Sequence, residues 1–253
     1  MRIISLAVDG LETARDAGVF SWLKQQDADV ICLQDTRCSE YSLKGDEFFP
    51  EGYNAYFWDD IDDHRRNGVA IYCKAMPKAI MTGLGFPEFD ARGLYIQADY
   101  QNISIGSLLM PAAANDPQGL AERAAFMEQL AAHLQKIRNK RRDFIFCGGW
   151  GVAHEPIDAE EAGNRIDIPG FSDKDRRWLN SLYQSGYADA FRAHNSDPDE
   201  FTWWPEGDDA GGVRTDTQII SSDLVAHVDY AAIYTADTFS SHAPVIIDYD
   251  VTP

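Results

Sequence analysis

The sequence predicts an α/β protein built as a two-sheet sandwich, and three observations carry the prediction. Short apolar runs of strand length recur along the whole chain, some so continuous that both faces of the strand must be buried. Stretches of helical periodicity fall between them rather than at one end. The 253 residues are 45% hydrophobic, and no linker rich in Pro, Gly or Ser divides them, so residues 1–253 suit a single domain with a full core.

Taken in order, Arg2 to Val8 reads as the first strand. Glu12 to Gln26 has helical spacing in Val19, Phe20, Trp22 and Leu23. Asp29 to Gln34, DVICLQ, is a nearly continuous apolar strand. Tyr53 to Trp58 and Gly68 to Cys73 form a strand pair around the polar loop Asp59 to Asn67. Gly93 to Tyr100 and Asn102 to Met110 are two more strands around a tight turn. Leu120 to Arg138 is the longest helix, with Leu120, Ala124, Met127, Leu130 and Leu134 on one face. Phe144 to Cys147 is a strand that ends in the turn Gly148-Gly149-Trp150-Gly151. Lys174 to Ser185 is a helix capped by Ser172 or Asp173. Phe201 to Trp204, Thr215 to Ser221, Val228 to Tyr234 and Pro244 to Tyr249 complete the strands.

Composition narrows the function. No apolar run approaches the length of a membrane span, and MRIISLAVDG reads as a first strand rather than a signal peptide, so a cytoplasmic protein is expected. Of the 4 cysteines, Cys32, Cys73 and Cys147 sit in apolar runs and Cys38 in a loop, with no CxxC pair to suggest zinc or a disulfide framework. The net charge of −19 disfavours naked nucleic acid, whose binding rests on Lys and Arg at phosphates. One basic stretch stands out, Lys136 to Arg142, which suits either a helix C-terminus or a contact for phosphate or an acidic partner.

Four stretches fall into a known order: ISLAVDG near the N-terminus, DADVICLQDT at 27–36, FCGGWGVAHEPID at 146–158 and SSHAPVIIDYD at 240–250. GVAIYCKAMP, FTWWPEG and VRTD lie between them. In that order and spacing the chain resembles the exonuclease III and AP-endonuclease family of metal-dependent phosphodiesterases over essentially its entire length. The resemblance implies a four-layer αββα sandwich of two mixed β-sheets, with the active site at one end of both. It also implies a divalent ion, usually Mg²⁺, on the scissile phosphate, a carboxylate that activates water, and a His–Asp pair that steadies developing charge.

Position by position, the sequence departs from that pattern. The family's N-terminal Asn falls at Ala7, its metal-binding Glu at Asp35, and its Tyr at Leu109. Its catalytic Asp and the Asn beyond it fall at Gly149 and Gly151, and the Asp of its SDH motif falls at Ser241. Asp216, His242, Arg214 and Trp203 still match. Removing one group of this kind costs roughly 10²- to 10⁴-fold in rate. No catalytic residue is therefore expected, and no cofactor, with Asp35 a weak candidate for a metal ligand. Asp9 could join Asp35 and Asp216 around a cation, or could simply be a turn residue before Gly10. His154 and Glu155 match family positions near the loop that do not act as its base. Trp150, in a glycine turn, is expected to fill the volume that metal and phosphate occupy in the family.

The set of losses is similar to that in the bacterial catabolite repression control proteins, a degenerate branch of the family. LQDT, Leu-Leu-x-Pro, the altered GDFN loop and SxHAP occur together there, although Ala7 replaces an Asn that the branch tends to keep. That resemblance implies a regulator without nuclease activity, which joins the RNA chaperone Hfq on A-rich messenger sites, represses translation, and binds free nucleic acid weakly or not at all. Arg138, Lys140, Arg141 and Arg142 are then the expected RNA or partner contacts, followed by Arg192, Arg214 and a stacking Trp203. The alternative is a Mg²⁺-dependent AP endonuclease or exodeoxyribonuclease III with a rearranged, weak active site.

Overall fold

The computed structural model describes residues 1–112, 116–160, 170–204 and 211–253. The elements run β1 (Arg2–Ala7), α1 (Leu11–Asp16), α2 (Val19–Leu23), β2 (Val30–Gln34), β3 (Asn54–Trp58), β4 (Val69–Cys73), β5 (Ala79–Thr82), β6 (Tyr95–Asp99), β7 (Ile103–Leu109) and α3 (Pro117–Ile137). They continue with β8 (Asp143–Gly149), α4 (Asp173–Gln184), β9 (Tyr187–Asp189), α5 (Ala190–His194), β10 (Asp216–Ser221), β11 (Val228–Ile233) and β12 (Val245–Tyr249).

The strands form two six-stranded sheets, ordered β11-β12-β1-β2-β4-β3 and β5-β6-β7-β8-β10-β9. Both are mixed, because β1 and β2 pair in parallel, as do β7 and β8, while their other pairings are antiparallel. The period of two along each strand sorts the apolar residues. Ile3, Cys32 and Ile71 of one sheet meet Ile105, Ile145 and Cys147 of the other in the layer between the sheets. Ile4, Leu6, Ile31 and Leu33 point the opposite way, into α1 and α2. Phe144, Phe146 and Ile219 point outward into α3 and α4. Helix, sheet, sheet and helix layers follow, as the resemblance implied. No helix among the described residues is long and apolar enough to cross a membrane.

The long helix starts earlier than its periodicity suggested, because the Asp116 carboxylate accepts from the N–H groups of Gln118 and Gly119 and Pro117 opens the first turn. Leu120, in the first turn and expected to face inward, is 44% exposed. Ser172 caps α4 through the Asp175 N–H. The helix expected over 12–26 is two short helices, broken where Gly18 takes a left-handed φ of 94°. Residues 201–204 form only isolated bridges from Trp203 to Val213 and His242, not a strand, and Pro205 to Gly207 of FTWWPEG lie outside the described residues.

Candidate active site

The parallel pairs set the site. Ala7 lies beside Gln34 at the ends of β1 and β2, and Leu109 lies beside Gly149 at the ends of β7 and β8. Asp216, the first residue of antiparallel β10, is also paired with Gly149. A Cβ placed on Gly149 would sit 3.3 Å from Asp216 Oδ1, 3.8 Å from Leu109 Cδ1 and 4.0 Å from Ala7 Cβ. Residues far apart in sequence therefore converge at one end of both sheets. The Ser240 hydroxyl ties the final segment in by donating to the Ala7 carbonyl at 2.6 Å.

At that point His242 and Asp216 form a pair, Nδ1 to Oδ2 at 2.8 Å. The same Oδ2 accepts from the hydroxyls of Thr202 at 2.7 Å and Thr215 at 3.1 Å. Thr202 Oγ1 in turn accepts the backbone N–H groups of Thr215 and Asp216, both at 3.0 Å. The Trp203 ring lies over the imidazole, centroids 6.1 Å apart and planes 28° from parallel. Burial pushes the imidazole pKa down, but the charge of Asp216 and its hydrogen bond, with smaller help from Asp9 and Asp35, outweigh it, so the pKa is raised above 6.5. Asp216 Oδ1 is buried and has no hydrogen-bond partner among the described residues.

Beside this pair lies a second ionic group. Asp9, Asp35 and Arg37 all adopt left-handed backbone, with φ of 51°, 57° and 50°. Arg37 folds back onto Asp35, Nε to Oδ1 at 3.1 Å and Nη2 to Oδ2 at 2.5 Å. It also donates from Nη1 to the Asp9 carbonyl at 3.2 Å and brings Nη2 to 3.6 Å from Asp9 Oδ1. The Asp35 hydrogen bond and charge raise the guanidinium pKa against partial burial. Asp9 Oδ2 accepts from the backbone N–H of Ser241 at 2.9 Å and from its hydroxyl at 2.5 Å.

These residues do not fit the magnesium that the family resemblance implies. Mg²⁺ requires near-octahedral oxygen coordination. Both Asp35 oxygens are bound by Arg37, Asp9 is shared between Ser241 and Arg37, and Gly149 and Gly151 bring no side-chain donor. Among the described residues, no group of three or more His, Cys, Asp or Glu is placed to hold a metal.

Residues 8–241 match the endonuclease/exonuclease/phosphatase family. The chain belongs to that family. It is 28% identical to an exodeoxyribonuclease of Bacillus subtilis, a match covering 97% of this chain and 98% of the relative. It is 29% identical to the DNA repair nuclease APEX1 of Danio rerio, over 98% of this chain and 81% of the relative. The structure of an AP endonuclease from Archaeoglobus fulgidus superposes on it with a TM-score of 0.89, covering 99% of this chain and 100% of that one at 23% identity. The expectation of a family member without enzymatic activity, acting with Hfq in translational repression, is overturned by these matches: relatives aligned over nearly the whole chain are named for nuclease activity.

Several other expected roles also change for this family member. Trp150 does not fill the cleft. It faces the helix layer with Phe144 and Phe146, is fully buried, lies near Trp178, and donates from Nε1 to the Thr217 carbonyl at 3.1 Å. Gly151 turns the chain at φ 59° just after it, and Arg123 reaches the carbonyls of Trp150 and Gly151 from α3. Arg214 offers no surface contact, being 4% exposed and bound to Asp158 and Asp189. Arg192 is likewise held by Asp158. Trp203 lies against His242 and Val213, while Trp204 is 41% exposed. In the basic stretch, Arg142 is tied to Asp99 and Ser104, and Arg138 donates to the Ser185 carbonyl, although its side chain is exposed. Lys140 and Arg141 are exposed. His154 bonds Asn180 and stands edge-on to Tyr183. Sequence reasoning missed Arg37 and Thr202. The signal for Arg37 was a cation two residues after Asp35 in LQDTR.

Proposed function

We propose that this chain hydrolyses phosphodiester bonds in DNA, in the manner of an exodeoxyribonuclease or an AP-site endonuclease, through a rearranged and slow active site. The observation that supports this most directly is the anchored His242–Asp216 pair at the convergence of the two sheets. With Nδ1–H given to Asp216, the ring presents Nε2 to a substrate oxygen. The raised pKa favours the imidazolium, which can donate to a phosphate oxygen as negative charge builds there. Water adds to phosphorus and releases a proton to solvent, the P–O bond to the leaving sugar oxygen breaks, and that oxygen takes a proton back from solvent. Gly149 offers no base to the attacking water, so turnover falls below that of a complete site, and losses within one site do not multiply. In this proposal residues 1–253 form one catalytic domain that works in the cytoplasm, a compartment in keeping with buried, unpaired Cys32, Cys38, Cys73 and Cys147.

The test is cleavage of two duplexes, one with an internal abasic site and one with a recessed 3′ end. Wild type and His242→Ala are purified in parallel, so that a contaminating host nuclease appears equally in both. Cleavage by wild type at least about 100-fold faster than by His242→Ala is expected. Equal rates from the two preparations on both duplexes would refute the proposal.

A further inference from the structure

We infer that the guanidinium of Arg37 takes the place of the divalent ion, so that the cation of this site is part of the chain. The inference deepens the nuclease reading and rests on it for its catalytic consequence, while its binding consequence stands independently.

Asp35 falls at the position where the family resemblance places a metal ligand, and Arg37 engages both of its carboxylate oxygens. The same guanidinium bridges to Asp9, the neighbouring carboxylate on the other parallel strand end. This is not a loosely held surface arginine. The backbone that carries it is pinned on two sides: Thr36 N donates to the Gly68 carbonyl at 3.0 Å and Arg37 N to that of Asn67 at 2.7 Å. Gly10 N donates to the Asp35 carbonyl at 2.9 Å and Leu11 N to that of Thr36 at 2.8 Å. The left-handed conformations at Asp35 and Arg37 turn the side chain back over the strand end. Gly68 makes the close approach possible, since a Cβ there would lie 2.3 Å from the Thr36 hydroxyl.

The charges agree. One guanidinium between two carboxylates leaves a single negative charge, whereas an added divalent ion would need the oxygens that Arg37 already holds. Asp35 also reaches one methylene less far than a glutamate. A guanidinium has five N–H donors, and the contacts to Asp35 and Asp9 do not use all of them. The Arg37 side chain is 46% exposed, so a donor remains for a phosphate oxygen arriving from solvent.

The experiment titrates Mn²⁺ into wild type, Arg37→Ala and Arg37→Ala/Asp35→Asn, reading bound ion by electron paramagnetic resonance. Arg37→Ala should bind Mn²⁺ at least about 10-fold more tightly than wild type, and the double variant should lose that gain. The double variant separates the site from diffuse attraction of cations to an acidic protein. Wild type binding Mn²⁺ as tightly as Arg37→Ala, no gain in Arg37→Ala, or a gain that survives Asp35→Asn would each overturn the inference. The cleavage assay, run in EDTA, tests the catalytic consequence. Unchanged wild-type cleavage is expected. Cleavage abolished by EDTA would overturn this inference and leave the nuclease proposal standing, whereas no cleavage under any condition would overturn the nuclease proposal and leave the Mn²⁺ result to decide this one.

Discussion

Replacing Asp158 by Ala should be among the most damaging single changes outside the apolar core. Its side chain is 1% exposed, and Oδ1 receives Nε of Arg192 and Nε of Arg214, each at 2.9 Å. Oδ2 receives the Glu155 N–H at 3.0 Å, and the Asp158 carbonyl receives the Arg214 N–H at 2.7 Å. Without the carboxylate, Arg214 keeps, among the described residues, only Asp189, 2.8 Å away, to balance a charge in the interior. Removing one partner of a buried pair costs about 3–5 kcal/mol, because the remaining charge stays desolvated. Arg192→Ala should cost less, about 1–3 kcal/mol, since Arg192 is nearer solvent and its loss leaves Asp158 with Arg214. Urea unfolding followed by tryptophan fluorescence gives both values from the shift in midpoint. Burial alone would raise the Asp158 pKa, but Arg214, the Glu155 N–H and Arg192 hold it below the ordinary carboxylate value. A depressed folded pKa means that this stabilisation is complete above the unfolded value and is lost as pH falls through the folded one. Asp158→Asn should therefore flatten the acid limb of the stability curve. A cost below about 1 kcal/mol for Asp158→Ala, the value of an exposed pair, would refute the reasoning.

Two further outcomes follow from burial and charge. Trp150→Ala should cost about 3–5 kcal/mol in the same urea assay, and Trp150→Phe, which loses the bond to the Thr217 carbonyl, about 1–2 kcal/mol; a cost within experimental error for both would show that the indole is not packed in the helix layer. The His242 imidazole should titrate above 6.5 by NMR, and Asp216→Asn should lower its midpoint. Because the folded value is raised, the stabilisation from this pair is complete below the unfolded histidine pKa and is lost as pH rises through the folded one. A wild-type midpoint at or below 6.5 would contradict that ordering.

The fold was legible in the sequence because its central strands are buried on both faces. DVICLQ becomes β2 and the run at Phe144 becomes β8, whose far end extends to Gly149. Edges were not legible. β5 is mostly exposed and only four residues long, and β9 with α5 is too short for any periodicity to register. Gly18 broke a helix that apolar spacing alone made continuous. The site was half legible. Motif order brought Ala7, Leu109, Gly149, Asp216 and His242 to one place, as the structure does. Which arginines are free was not legible, since Arg192 and Arg214 spend their charge on Asp158, remote in sequence. Trp150 continues the period-two face of Phe144 and Phe146 into the helix layer, a pattern the sequence carries through β8.

Asp216 can separate architecture from chemistry. Its Oδ2 has an architectural role, accepting two threonine hydroxyls and the His242 ring. Its Oδ1 has none, being buried, without a partner among the described residues, and 3.3 Å from where a Cβ on Gly149 would lie. A carboxylate retained only to hold the fold has no reason to leave one oxygen desolvated, at a cost of about 1–3 kcal/mol. An oxygen that faces the convergence of the sheets instead suits a group supplied by substrate or solvent. Asp216→Asn keeps the shape and removes the charge that favours the His242 imidazolium. If Asp216 serves the reaction, this variant should shift folding stability by less than about 1.5 kcal/mol and slow cleavage of abasic duplex at least about 100-fold. The opposite pattern, a loss of about 3 kcal/mol or more in the urea midpoint with cleavage unchanged in the folded fraction, would assign Asp216 to the architecture alone.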